Sequence, residues 1–477
     1  MPAHFSYDAV VVGSGPNGLA AAVRLAQEKL SVLVLEANDT IGGGARSGEI
    51  TLPGFTHDLC SAIHPLAIGS PFFRKLELEK HGLHWIQPEI PLAHPLGEKT
   101  AAVLLRSVGE TAIALSQDAG AYQRLMEPLV PHWESLSAEF LKPMLHVPAH
   151  PIQMARFGMQ AIRSAAGLAE AKFKREEARA LFAGLAGHSF LPLEERASAA
   201  FALVLAMAGH AVGWPLPRGG SQRISDALAS LLRSLGGEIK TGVRVESLKE
   251  LPLARAILLD VTPLQLLLMC GDQLPESYQR RLGKFRHGPG VFKLDYALSA
   301  PIPWTAETCR RAGTVHVGGT LAEIAKSERE VNEGKTPEQP FVLVTQPSIF
   351  DSTRAPAGRH VAWAYCHVPN GSKFDMTEHV ERRIERFAPG FRDCVLARHS
   401  MNCAQAEEKN SNLVGGDISG GASNLWQLLA RPVLGSTPYR TPITGVYLCS
   451  ASTPPGAGVH GMCGFHAGEA ALRDCFR

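Results

Sequence analysis

YDAVVVGSGPNGLAAAVRLAQEKLSVLVLEA, residues 7–37, is a strand, a glycine turn, a helix and a second strand ending in an acid. Gly13 allows the tight turn out of the first strand, Gly15 lets the backbone approach a pyrophosphate, and Gly18 lets the helix lie close on the sheet. Pro16 suits the first helical turn, where a missing N–H is harmless; the free N–H groups and the helix dipole then face phosphates. Glu36 closes the second strand about twenty residues beyond the glycines, where a carboxylate accepts hydrogen bonds from an adenosine ribose. A GxGxxG alone is weak. Flanked by VVV and VLVL strands and an AAAVRLA helix face, it reads as a dinucleotide clamp, the alternative being an ordinary glycine-rich turn.

The remaining composition sets bounds. A chain of 477 residues with 45% apolar content fits two or three intertwined domains with well-buried interiors. The formal charge is +2 with both signs interspersed, so neither nucleic acid nor a polyanionic substrate is expected as a partner. Nine cysteines, an odd count without CxxC or zinc spacing, read as reduced thiols of a cytoplasmic protein; disulfide-flavin chemistry and a metal site are not expected. The first strand begins almost at Met1, which leaves no room for a signal or transit segment, and no run reaches about eighteen apolar residues. The expectation is a soluble globular protein.

Further along, ASAAFALVLAMA (197–208) predicts a buried core helix, and residues 121–190 read as mainly helical. That stretch mixes Leu141, Met144, Met154, Phe157 and Met159 with bases such as Arg156, Arg163 and Lys172. Such a composition suits either a solvated amphipathic helix pair or a surface resting peripherally on lipid. Residues 217–248 give a glycine turn, an amphipathic helix, a Gly236-Gly237 stop and a β-rich return to the nucleotide domain. ARAILLDVTP (254–263) predicts a buried strand, and VFKLDYAL, PFVLVTQPSIF and HVAWAYCHV predict a separate antiparallel sheet. The terminal TPITGVYLCSASTPPGAGVHGMCGFHAGEAAL is again strand, glycine turn and helix, with Gly456, Gly458 and Gly461 spaced as GxGxxG. No second strand with its acid follows, so this turn is read as bringing N–H groups against the same long cofactor rather than as a second clamp.

With both ends in view, the sequence resembles the flavin amine oxidase superfamily and, within it, the phytoene desaturase-like branch. Gly13, Gly15, Gly18 and Glu36 match its FAD fingerprint, and Gly42 and Gly43 its paired glycines. PRGG (217–220), the terminal PGAGVHG and DSTRAPAGRH (351–360) match later motifs. The chain departs from the superfamily at Gly44, where many members carry arginine and this chain has Arg46 two positions on. It departs again between Val245 and Ala254, which is too short for the usual β-meander. The resemblance implies an α/β fold: a Rossmann-like FAD-binding domain of the glutathione-reductase type interleaved with an α+β substrate domain holding an antiparallel sheet and a helical subdomain. The expected division is 1–70, 215–285 and 436–477 for a discontinuous FAD-binding domain, 71–214 for a helical/substrate subdomain and 286–435 for an antiparallel-sheet substrate domain. It further implies FAD held by Gly13, Gly15, Pro16, Asn17, Gly18, Glu36, Ala37, Gly43, Gly44, Arg46, Ser47, Val243, Ser452, Gly458, Val459 and His460.

A flavin supplies the hard chemistry, so few catalytic side chains are required. The resemblance makes Lys293 a candidate to hold a water near the reactive ring nitrogen, the alternative being a lysine on the wet face of its strand. His460 is a candidate proton shuttle or a helix cap. His64 is a candidate substrate contact, and Cys463 reads as a small buried thiol. The His57, Asp58, Cys60 and His64 group fits no zinc pattern and reads as loop and pocket lining. The leading activity is an FAD-dependent oxidoreductase of desaturase type, taking hydride from a hydrophobic isoprenoid- or lipid-like substrate. A flavin isomerase, an amine oxidase and a non-catalytic FAD scaffold stay open, as do electron acceptor and oligomeric state. The amine oxidase is the weaker reading because Trp426 and Tyr439 are the only aromatics close upstream of the terminal motif.

Overall fold

The computed structural model describes residues 5–97, 99–435 and 437–477; the expected domain limits at residues 1 and 436 lie outside them. Tyr7–Val12 is the centre of a five-stranded parallel sheet in the order Val446–Leu448, Ala254–Leu259, Tyr7–Val12, Val32–Leu35, Glu238–Lys240. Its inner strands carry the apolar runs VVV, VLVL and ILL because helices or loops cover both faces, whereas the edge strand Glu238–Lys240 exposes its two charged residues. Ala9 and Val11 pack with Leu19, Leu228 and Ala470 of the helices Pro16–Ala26, Gln222–Ser234 and Met462–Ala471. Val12 turns the other way, onto the helices Pro263–Cys270 and Glu276–Leu282. Two glycines set how closely this layer closes. A Cβ at Gly18 would collide with the Gly13 carbonyl, and one at Gly464 with the Asn17 carbonyl, so the fingerprint helix and the terminal helix touch backbone to backbone.

A seven-stranded sheet runs in the order Val395–Met401, Gly290–Leu298, His360–Val368, Val342–Thr345, Ala312–Val317, Ile90–Pro95, Ala101–Leu104. All neighbours are antiparallel except Ala312–Val317 with Ile90–Pro95. Two of these strands, Ile90–Pro95 and Ala101–Leu104, come from residues 71–214, read above as a helical and substrate subdomain, so the sheet is not confined to 286–435; Trp85–Ile86 also pairs with Leu216–Pro217. The expected β-rich stretch after Gly237 also shrinks to Glu238–Lys240, followed by a short 3-10 turn at Leu248–Glu250; no meander is present there. Alternation divides the long strand: Phe292, Leu294, Tyr296 and Leu298 enter one core, while Val291, Lys293 and Asp295 face the helical layer. That layer includes Trp133–Phe140, Pro151–Ala161, Glu176–Gly187 and the core helix Ser198–Ala211.

Three of the sequence motifs meet at one buried carboxylate. Asp58 accepts hydrogen bonds from Ser47 Oγ (2.7 Å), the Ser221 N–H (2.7 Å) and the Arg354 guanidinium (2.6 Å). Arg354, fully buried, also donates to the Thr56 carbonyl (3.1 Å), and Asp351 accepts from the Gly219 N–H (2.6 Å). Burial alone would raise the Asp58 pKa; the adjacent Arg354 overrides it and holds the carboxyl below its ordinary value. The PRGG turn and the DSTRAP segment are therefore a joint between the nucleotide domain and the large sheet. Arg354→Met leaves Asp58 buried without its cation and should lower the unfolding free energy by about 3–5 kcal/mol, measured by urea denaturation; a loss below about 1 kcal/mol would show that the pair does not carry the joint.

Candidate functional site

One cavity of about 1080 Å³ runs between the two sheets. Its polar half collects the C-terminal ends of the parallel strands, where turns of this architecture present backbone N–H groups. Gly13, Ser14, Gly15, Pro16 and Asn17 line it from the first strand, and Glu36 and Ala37 from the second. Gly43, Gly44 and Val243 complete one wall, and Ser452, Gly458 and Val459 bring in the terminal turn. Gly13 has φ +98°, which only glycine adopts without strain. Pro16 opens the fingerprint helix, and Gly15, its N-cap, has no side chain to cap it; the Gly18 N–H is taken by a carboxylate (3.0 Å), so in the first turn it is the Asn17 N–H and the helix dipole that face an anion.

Glu36 is fixed on both oxygens. One accepts from the Ser14 N–H (2.9 Å) and Ser14 Oγ (2.6 Å), the other from the Asn38 N–H (2.9 Å) and Asn38 Nδ2 (3.0 Å). The Val243 N–H donates to the Glu36 carbonyl (2.8 Å), which ties the wall at residues 243–246 to the strand end. Five buried polar atoms on the cavity wall have no partner among the described residues: Asn17 Oδ1, Ser452 Oγ and His64 Nδ1, and on the large sheet Thr345 Oγ1 and Trp363 Nε1. Such atoms are costly unless a ligand meets them, and Asn17 Oδ1 and Ser452 Oγ, beside the glycine turns, fit an extended dinucleotide.

Several expected contacts do not reach the cavity. Gly18 packs under Gly13. Arg46 donates to the Gly43 carbonyl (3.0 Å) and the Lys409 carbonyl (3.0 Å), and Ser47 is spent on Asp58, so both support the loop rather than line the site. His460 is turned into the protein as a helix cap: its Nδ1 accepts the Met462 N–H (3.0 Å) and burial lowers its pKa to about 4. A neutral, enclosed imidazole does not shuttle protons to the cavity. Lys293 is 2% exposed and forms a buried ion pair with Asp295, its ammonium 5.7 Å from the Trp363 ring centroid. It is neither on a wet face nor on the cavity wall. Among the described residues no cluster of His, Cys, Asp and Glu could hold a metal ion.

His64 does line the cavity. Ser221 Oγ donates to the Ser61 carbonyl (2.6 Å) and lies 2.8 Å from His64 Nε2, so Nε2 is the protonated nitrogen and Nδ1 is a bare acceptor. Burial holds its pKa near 4. Cys463 is a buried thiol pushed up to about 12 by burial, too weakly acidic to be a nucleophile. Tyr439 is buried with its hydroxyl on the Pro454 carbonyl (2.9 Å), and Trp426 is mostly exposed, so the two form no cage.

Sequence reasoning missed Asp260. It follows the parallel strand Ala254–Leu259, accepts the Gly18 N–H (3.0 Å), and lies 2.8 Å from where a Cβ on Gly15 would stand. The signal was present: ILLD260 ends its strand in an acid as VLVLE36 does. Burial, with a smaller push from Glu36 and against the opposing Gly18 hydrogen bond, raises the Asp260 pKa to about 7. The opposite half of the cavity was missed as well. Its floor is the sheet face of Thr314, Leu343, Thr345, Trp363 and Tyr365, and its roof includes Phe157, Phe201 and Val204.

Residues 11–76 match the model of an NAD(P)-binding Rossmann-like domain. The mouse pyridine nucleotide-disulfide oxidoreductase domain-containing protein 2 is 27% identical, over 98% of this chain and 94% of the relative. A phytoene dehydrogenase of Streptomyces griseus is 27% identical over 81% of this chain and 77% of the relative. In fold, a redesigned putrescine oxidase superposes with a TM-score of 0.65 at 16% identity, covering 99% of each chain. The expected architecture, a Rossmann-like domain joined to a second sheet, is therefore the one observed, and the relatives are oxidoreductases.

The buried carboxyl generates a pH test. Because the folded pKa of Asp260 lies above the unfolded value of 3.8, its contribution to stability is complete below pH 3.8 and is lost as pH rises to about 7. Asp260→Asn retains an acceptor for the Gly18 N–H and carries no charge. It should raise the thermal midpoint of the apoprotein by several degrees at pH 8 and leave it nearly unchanged at pH 4.5; parallel pH profiles for the two proteins would contradict the assignment.

Proposed function

From its place as a phytoene desaturase-like member of the flavin amine oxidase superfamily of oxidoreductases, we propose that this chain binds FAD and dehydrogenates an apolar isoprenoid- or lipid-like substrate. The observation that supports this most is the continuity of the cavity, which passes from the glycine turn and Glu36, past Ser452 and Val459, into a chamber walled by Phe157, Val204 and Leu343. FAD, when bound, supplies a ring that accepts the hydride at N5.

The chain's own residues account for the rest. The uncapped first turn at Gly15–Asn17 holds the pyrophosphate with N–H groups and the helix dipole. Glu36 receives the ribose hydroxyls, since Ser14 Oγ and Asn38 Nδ2 are side-chain donors that can yield their places. Asp260 near the pyrophosphate favours its protonated form there. Ser452 Oγ and Asn17 Oδ1 find their missing partners on the cofactor. The apolar chamber orients the substrate chain and excludes water. Lys293 and Asp295 contribute as a neutral pair beneath Trp363, not as a free cation.

The entrance also suits an apolar substrate. Met144, Met154 and Ile162 line the cavity, and the same segment exposes Met144, Leu145, Val147, Ile152, Met159 and Ile162. No helix among the described residues is long and apolar enough to cross a membrane. We take this rim as the face through which substrate arrives from a lipid surface.

Anaerobic incubation of the FAD-loaded protein with an isoprenoid substrate should bleach the oxidised flavin absorbance with formation of a new double bond. Bleaching by primary amines alone, or rearrangement of substrate without bleaching, would contradict the reading. Glu36→Ala should weaken FAD binding at least tenfold, about 1.4 kcal/mol, in a fluorescence titration; unchanged affinity would misplace the ribose.

A further inference from the structure

The apolar chamber contains a polar spot that the dehydrogenation reading does not use. Thr345 and Trp363 stand opposite one another in register on neighbouring strands, both side chains on the cavity face. They are 2% and 8% exposed, and neither Thr345 Oγ1 nor Trp363 Nε1 has a hydrogen-bond partner among the described residues. Trp214 donates to Thr314 Oγ1 (3.0 Å) and Trp304 to Gln346 Oε1 (3.1 Å), and the unpartnered Trp133 Nε1 does not line the cavity, so Trp363 is the indole whose free donor stands on the ligand wall. An unpaired buried donor costs about 1–3 kcal/mol, so two adjacent ones on a ligand wall mark a place where a ligand oxygen belongs.

The Trp363 ring is held on both sides. Tyr365 meets it edge-on with centroids 5.0 Å apart, and the Lys293 ammonium lies 5.7 Å from its centroid. The indole N–H is therefore a fixed donor, whereas the Thr345 hydroxyl rotates and can donate or accept. The Lys293 ammonium beside the ring is paired with Asp295, so it offers no free cation to a carboxylate. The spot suits a neutral oxygen.

We propose that Trp363 and Thr345 form an oxygen anchor, and that the substrate is an apolar chain bearing one hydroxyl or carbonyl group rather than a pure hydrocarbon. The proposal rests on the reading of the chamber as an apolar substrate site. The substrate oxygen accepts from Trp363 Nε1–H and pairs with Thr345 Oγ1. Fixing one atom of a long chain sets its register along the chamber, so the anchor also selects which carbon is presented for dehydrogenation.

The test compares geranylgeraniol with its deoxygenated hydrocarbon, titrated anaerobically into the FAD-loaded protein and read by the flavin difference spectrum, with FAD content checked for every variant. Two added hydrogen bonds predict a preference for the alcohol of roughly tenfold. Trp363→Phe, which keeps a ring, and Thr345→Val, which keeps the shape, should each narrow that preference, and the double variant should bind both ligands equally. Equal affinities in the unaltered protein would overturn the anchor while leaving the apolar chamber standing; failure of both ligands to bind would overturn both. As a second measurement, Thr345→Val should not lower the thermal midpoint of the ligand-free protein, because its hydroxyl pairs with nothing. A drop of many degrees would reveal a structural partner and overturn the proposal.

Discussion

The carboxylate of Asp58 is the constraint on which the site depends. It is buried, charged and surrounded by donors from three segments: Ser47 after the paired glycines, Ser221 directly after PRGG, and Arg354 in the connection between two inner strands of the large sheet. A buried ion pair of this kind adds little net stability, yet it tolerates the loss of neither partner. Its effect is geometric. It sets the large sheet against the nucleotide domain, and the cavity is the space left between them.

The two halves of that cavity obey different rules. The nucleotide half is made largely of backbone: glycines without Cβ atoms, a helix whose N-cap is a glycine, and a terminal turn pressed in by the contact of Gly464 with Asn17. Its unsatisfied atoms are polar and await phosphate and hydroxyl partners. The substrate half is made of side chains from a sheet face and a helical roof, where shape and apolar contact dominate. Asp260 stands in the nucleotide half, against the glycine turn, bonded to Gly18, with burial raising its pKa to about 7. Charge in the nucleotide half is thus controlled by burial as much as by the ligand.

Much of this was legible in the residues because local pattern carried it. The fingerprint, the Glu36 strand end and the terminal glycine turn are local spacings, and the strands 290–298 and 360–368 follow from β-branched and aromatic runs. Ile90–Pro95 was hidden because its two prolines and histidine weaken the strand signal and its parallel partner lies more than two hundred residues away. Lys293 was read without Asp295, although residues two apart on a strand share a face. His460 was read as facing the cofactor because a glycine turn does not say which way its next side chain points. The Thr345, Trp363 and Tyr365 floor required register across two strands, which no single segment encodes.

The central claim is that both glycine turns close on one dinucleotide that spans the polar half of the cavity. Native mass spectrometry of the protein, as isolated or after reconstitution, tests it most directly. The account predicts one FAD per chain, released intact on acid denaturation. A chain that instead retains NAD(P), takes FMN alone, or remains without FAD at saturating concentrations would contradict it.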